Sequence, residues 1–177
     1  MFSIRKNIVL EIILWATFLA YFLFLVKAVL LKFLPPDLIA DQMHRIDNEL
    51  ISRSFANSNL IPFKTIIGYI VNPISAKIAI GNVLGNIIVF IPVGILAPFL
   101  ILKKYEFWGS FKVSLLTSFG ISLAFEVIQL LTYFGSFDVD DLILNTFGGV
   151  LGFFIGYLFV NLYHNFMMKY HGKTVEH

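Results

Sequence analysis

Residues 78–102 read IAIGNVLGNIIVFIPVGILAPFLIL, with no charged side chain among them. The hydrocarbon layer of a bilayer is about 30 Å thick, and a helix needs roughly 20 mostly apolar residues to cross it. A lone strand or an irregular loop is excluded at that depth, because unpaired backbone amides and carbonyls are too costly in lipid. The stretch therefore predicts a transmembrane helix, and it decides how the rest of the chain is read.

Three further runs qualify on either side of it: residues 8–31, 111–134 and 142–163. The expectation is an all-α integral membrane protein, a single membrane domain over residues 1–177 with about four spans. Composition agrees. Hydrophobic residues make up 58% of the chain and charged residues 14%, whereas a soluble domain carries about 45–50% and about 25%. A soluble fold would lack the polar surface to cover itself. The first run follows Arg5 and Lys6 and resembles a signal peptide. It is far longer than the usual apolar core of such a peptide, and no small-x-small cleavage site follows, so it is read as an anchor. With no cysteine, disulfides and thiolate metal sites are excluded. A net charge of +2 gives no case for nucleic-acid binding.

The basic residues set the expected orientation. Arg5 and Lys6, Lys103 and Lys104, and Lys169 and Lys173 all fall on one side of a four-span topology, which places both termini in the cytoplasm. Gly135 to Asp141 holds three Asp and no Lys or Arg, and is placed outside. The long connection, residues 33–77, is then extracytoplasmic, although Arg45, Arg53, Lys64 and Lys77 blur the rule. Pro35-Pro36 stops the first helix. Ile39, Met43, Ile46 and Leu50 recur at helical spacing and predict an amphipathic helix on the bilayer or over the bundle. Residues 59–63 and 66–71 are too short to span and predict an interfacial or re-entrant segment.

Polar side chains inside spans are costly and mark candidate sites. Ser114, Ser118, Ser122, Glu126, Gln129 and Tyr133 follow one another at steps of three and four, so they form one helical stripe. The serines fit interhelical hydrogen bonding. Glu126 is different: a carboxyl at that depth must be protonated, paired or hydrated. On residues 78–102, Asn82 and Asn86 share a face, Gly81 and Gly85 suggest close helix approach, and Pro92 predicts a kink. The last span opens with Asp138, a natural N-cap, followed by Asp140, Asp141 and Asn145. Below them Gly148, Gly152 and Gly156, with Gly149 beside them, form a ridge suited to tight packing. If the topology holds, all these groups collect at one outer edge. Asn82, Asn86, Glu126, Gln129, Asp138, Asp140, Asp141 and Asn145 are therefore the candidate lining of one polar, ligand-binding cavity. The four histidines, His44, His164, His171 and His177, are read as surface residues.

The order of these pieces also carries a resemblance. Asn59-Leu-Ile-Pro-Phe63, Gly85-Asn86, Phe90-Ile-Pro92-Val-Gly94, Glu126-Val-Ile-Gln129, Phe137-Asp-Val-Asp-Asp141 and Leu144-Asn145-Thr-Phe-Gly148-Gly149 together resemble the VanZ-like family. The pattern in many members has a basic residue shortly before the acidic run. Here Thr132-Tyr-Phe-Gly-Ser136 has none, so a cationic partner for the Asp cluster must come from elsewhere or be a metal ion. The resemblance implies a multi-pass protein of the bacterial cell membrane, in a family named for low-level resistance to the lipoglycopeptide teicoplanin. The implied partners are membrane lipid and an antibiotic or a lipid-linked peptidoglycan precursor at the outer face.

Two functions compete at this point. One is a non-enzymatic protein that binds or shields an amphiphile at the outer leaflet. The other is an intramembrane enzyme acting on a lipid-linked head group. In the second, Glu126 would be the general acid or base, and Asp138 and Asp141 would hold a divalent cation such as magnesium, calcium or manganese. No familiar nucleophile or metal-binding spacing supports the enzyme. A transporter would need oligomerisation, and no internal repeat is visible.

Overall fold

The computed structural model describes residues 2–3, 8–30, 44, 48–71, 76–102, 104–132 and 134–172. Among these residues, four helices are long and apolar enough to cross a membrane. These are α1 (Ile8–Leu25, continued by a π-helical turn over Val26–Leu30), α4 (Ala76–Ile101), α5 (Phe107–Thr132) and α6 (Val139–Gly172). Among the described residues between the first two spans lie the short helices α2 (Asn48–Ala56) and α3 (Lys64–Val71). The chain is an all-α membrane protein, as its hydropathy requires. Two-residue strands, β1 (Phe2–Ser3) and β2 (Lys104–Tyr105), pair antiparallel. They hold the N-terminal end of the chain to the α4–α5 connection at one end of the bundle. Pro35, Pro36, Ile39, Met43, Ile46, Arg5, Lys6, Lys103, Arg45, Tyr133, Lys173 and His177, all invoked above, lie outside the described residues.

Span ends differ from those expected, and capping explains the difference. The third span begins at Phe107 rather than 111, because the Glu106 carbonyl already accepts the Ser110 N–H at 2.9 Å. The fourth begins at Val139 rather than 142. Asp138 is its N-cap: its carbonyl accepts Leu142 N–H at 3.2 Å, and its Oδ1 accepts Asp140 N–H at 2.8 Å. No proline or glycine interrupts the chain between Tyr157 and His171, so α6 continues to Gly172, well past 163.

Helices α4, α5 and α6 form the compact centre, and glycine sets their spacing. A methyl at Gly148 would run into the Ile87 carbonyl, and one at Gly152 into the Ile91 carbonyl. Gly94 of α4 faces Gly149 of α6 directly, and Gly149 also meets Ser118 of α5. The expected ridge is therefore the seam along which α6 touches the α4 backbone. Gly81 and Gly85 do not share this role. A methyl at either would meet nothing within 4 Å, so their small size draws no helix closer.

The serine stripe of α5 faces inward. Ser110, Ser114, Ser118 and Ser122 are fully buried. Ser114 Oγ donates to the Gly94 carbonyl at 2.7 Å. That carbonyl has no partner within its own helix, because Pro98, four residues on, has no N–H. Helix α4 runs unbroken through both Pro92 and Pro98. Ser122 Oγ accepts from Asn145 Nδ2 at 2.9 Å. The hydroxyls of Ser110 and Ser118 find no partner, so size rather than hydrogen bonding places them.

Helix α1 packs on the outside. Only 6% of its most apolar window is buried, against 44% for α6. Its inner contacts are nevertheless specific: Leu25 and Val29 join Phe90, Val93 and Phe125 in a core cluster, and Tyr21 donates to the Val89 carbonyl at 2.5 Å.

A polar cavity at one end of the bundle

Helix α1 ends, α4 begins, α5 ends and α6 begins at the same end of the bundle, and the polar residues gather there. The acidic turn that opens α6 organises the region. Asn59 pairs with Asp138 as a backbone bridge: Asn59 N–H donates to Phe137 O at 2.8 Å, and Val139 N–H donates to Asn59 O at 3.0 Å. Asp138 Oδ1 also accepts from Asn59 Nδ2 at 2.9 Å, and its Oδ2 from the Thr65 hydroxyl at 2.6 Å.

Asp140 is fully buried and serves a different helix. Its carboxylate accepts the backbone N–H groups of Phe63, Thr65 (2.7 Å) and Ile66 (3.1 Å). These are orphan donors at the start of α3, and a carboxylate there complements the helix dipole. The turn into α3 is tight. Lys64 N–H donates to Ile61 O at 3.3 Å, Pro62 occupies the second position, and Phe63 has φ 66°. That position of a type II turn normally calls for glycine. Asp140 holds a phenylalanine in a left-handed conformation it otherwise avoids.

A cavity of about 160 Å³ opens beside this turn. Asn82, Asn86, Gln129, Asp138 and Asp141 line it, together with Val29, Thr65, Tyr69, Gly135 and Ser136. Asn86 donates to Asp141 at 2.6 Å, Asn82 to the Tyr69 hydroxyl at 2.9 Å, and Gln129 to the Val29 carbonyl at 3.2 Å. The structure thus brings five of the eight expected residues to one lining. The other three stand behind it. Glu126 is 1% exposed and accepts the backbone N–H of Asp138 on Oε2 at 2.8 Å, with no partner on Oε1. Asn145 is fully buried on Ser122, and Asp140 caps α3.

Thr65, Tyr69, Val29 and Ser136 were not anticipated from sequence. Thr65 and Tyr69 are one turn apart on α3, a spacing that points both to one side once that helix is known. Val29 enters through the π-helical turn, a local widening often found at functional sites. The first span therefore contributes to the cavity as well as anchoring the chain.

Among the described residues, the lining has donors and two carboxylates and no Lys, Arg or His. Neutral donors already turn toward Asp138, where a cation would need further acceptor oxygens to converge. Among the described residues, no group of three or more His, Asp or Glu is arranged to hold a metal ion. His44 and His164 are exposed, and neither belongs to this lining. A second cavity, about 180 Å³, lies at the opposite end among Tyr105, Glu106, Phe107, Tyr157, Asn161 and His164.

Four spanning helices with a polar cavity at one end, clasped by an acidic turn, define a small multi-pass membrane protein built around an end-on site. The VanZ/LLP1 family model matches residues 18–160, and the chain belongs to that family. Protein VanZ of Enterococcus faecium is 36% identical over 80 residues, which is 45% of this chain and 47% of VanZ. The chain thus aligns with about half the length of that relative. No solved structure matches it.

Proposed function

We propose that the chain is a cell-membrane protein that binds or shields an amphiphile at the outer leaflet, and that it contributes in this way to glycopeptide and lipoglycopeptide resistance. The observation that carries this reading is the polar cavity at the end of the bundle, closed behind by buried groups and lined by Asn86, Gln129, Asp138 and Asp141. Its size suits a head group rather than a whole antibiotic. Both termini are placed in the cytoplasm and the acidic turn outside, following the distribution of Lys and Arg. Reporter fusions at each end and at Ser136 read that orientation.

Binding is favoured over acid–base chemistry by the position of Glu126. It does not line the cavity and is almost fully enclosed. A general base must reach the proton it takes. The decisive comparison is teicoplanin susceptibility in a sensitive host expressing the wild-type chain, Glu126→Gln or Asp141→Asn. Wild type and Glu126→Gln are expected to protect equally, and Asp141→Asn to protect less. Complete loss of protection in Glu126→Gln, at normal membrane abundance, would instead establish Glu126 as a proton-transfer group and favour the enzyme.

A further inference from the structure

The turn that Asp140 holds lies below the end of the bundle. Asn59 bridges to the chain on either side of Asp138, and Asp138 N–H donates to Glu126 Oε2 at 2.8 Å. Asp141, on the same turn of α6, accepts from Asn86 at 2.6 Å. Glu126 stands six residues before Thr132, the last of α5, and Asn86 ten residues after Ala76, the first of α4. At 1.5 Å per residue these positions are about 9 Å and about 15 Å from the helix ends. Each of the two helices has 26 residues, about 39 Å in length, against about 30 Å of hydrocarbon. Centred on that layer, a helix of this length leaves about 4–5 Å outside at each end. The turn is then roughly 5–10 Å inside the hydrocarbon.

Its backbone and its side chains both fit that depth. From Ile61 to Ile66 every N–H is bonded within the chain. Ile61 donates to Asn59 Oδ1 at 3.1 Å, Lys64 to the Ile61 carbonyl at 3.3 Å, and Phe63, Thr65 and Ile66 to Asp140. Pro62 has no N–H to satisfy. Water would solvate such donors unaided, whereas irregular backbone at membrane depth must be satisfied by the protein. The exposed side chains are largely apolar. Leu60, Ile61 and Phe63 are 55%, 61% and 54% exposed, and Ile67, Ile70 and Val71 follow along α3. In water they would form the kind of apolar patch that soluble monomers rarely show. The patch continues onto a spanning helix. Tyr69 of α3 accepts from Asn82 of α4 at 2.9 Å, and Ile78, Ile80 and Leu84 are exposed beside it on α4.

We propose that residues 57–71 form a re-entrant hairpin whose partner is the acyl chains of the leaflet at that end of the bundle. The chain enters the leaflet after α2, turns at Leu60–Phe63 and climbs back to the surface along α3. Lys64, at the base of α3, has a stem long enough to carry its ammonium toward the surface. The polar cavity beside the turn lies within the leaflet rather than above it. None of this depends on what the cavity binds.

The chain has no cysteine, so single cysteines can carry a spin label to chosen positions of the full chain in phosphatidylcholine bilayers. Collision with oxygen, which concentrates in hydrocarbon, is compared with collision with a water-soluble nickel chelate. Ile61→Cys and Phe63→Cys should give an oxygen-to-nickel ratio several-fold above that of Glu49→Cys on α2, and close to that of Leu84→Cys on α4. The ratio should fall from Phe63 through Ile67 to Val71 as α3 climbs out. Ratios at Ile61 and Phe63 as low as at Glu49 put the turn in water and overturn the proposal. One constant ratio along residues 61–71 describes a segment lying flat and overturns the hairpin. Shielding from both reagents at Ile61 and Phe63 means that protein covers the tip, and overturns the lipid partner. The unsubstituted chain gives a second reading. Phosphatidylcholine with a diazirine on its acyl chain should label Leu60–Phe63 on irradiation, as mapped by mass spectrometry. Label at Leu84 and none at Leu60–Phe63 overturns the proposal even where a cysteine variant misfolds.

Discussion

Ser114 of α5 donates its hydroxyl to Gly94 of α4 at 2.7 Å, meeting the one backbone carbonyl that Pro98 deprives of its helical donor. A proline inside a spanning helix is tolerated when a neighbour re-satisfies the freed group, and here that neighbour is a single buried serine.

Ser114→Ala should therefore lower stability by about 1–3 kcal/mol, the cost of an unsatisfied buried carbonyl. Pro98→Ala restores the helical donor, so in its background the serine should matter little. A double-mutant cycle, read as denaturant unfolding in micelles, should show strong coupling between the two positions. Additive effects would break the link.

The glycines of α4 and α6 divide into two kinds. Gly148→Ala and Gly152→Ala place a methyl against the carbonyls of Ile87 and Ile91, and each should cost about 1–3 kcal/mol as the helices are forced apart. Gly81→Ala and Gly85→Ala face open space and should be neutral or stabilising by up to about 1 kcal/mol, from helix propensity. Thermal unfolding of the four variants separates the groups.

Asp140 holds the start of α3 through three backbone N–H groups. Asp140→Ala should free that helix, and hydrogen exchange over residues 63–71 should rise sharply while the centre of α5 stays protected. Phe63→Gly relieves the left-handed residue and should be tolerated or stabilising by about 1 kcal/mol.

Tyr105, outside the spans, has a buried hydroxyl with no partner, and burial, with Tyr157 adding, pushes its phenol up to about 12. The folded state thus favours the neutral phenol. Its contribution to stability is complete below pH about 10, the ordinary value for tyrosine, and falls as pH rises from there toward 12. Tyrosinate absorbance should show a late-titrating group that Tyr105→Phe removes. The same variant, which deletes an unpaired hydroxyl, should be no less stable at pH 7.

The spans and much of the cavity could be read from the sequence because each signal was local. An uncharged run, the three-and-four stepping of the α5 stripe, the Asn82–Asn86 turn and the Asp138 cap all depend on near neighbours. What could not be read depends on distance along the chain. Helix α3 is too short to show periodicity, and its cap, Asp140, lies 75 positions from Thr65. Asp140 and Asp141 look equivalent in sequence, but adjacent helical residues point about 100° apart. One therefore serves a backbone and the other faces the cavity. Gly81 and Gly85 have the spacing of an interface, and only the position of α6 shows that it touches the other side of α4.

Asp138 and Asp140 sit two residues apart on the opening turn of α6. One borders the polar cavity, and the other holds the start of α3, which itself supplies Thr65 and Tyr69 to that cavity. One short turn is thus the keystone of two walls, and a substitution at either aspartate alters the frame of the cavity together with its lining.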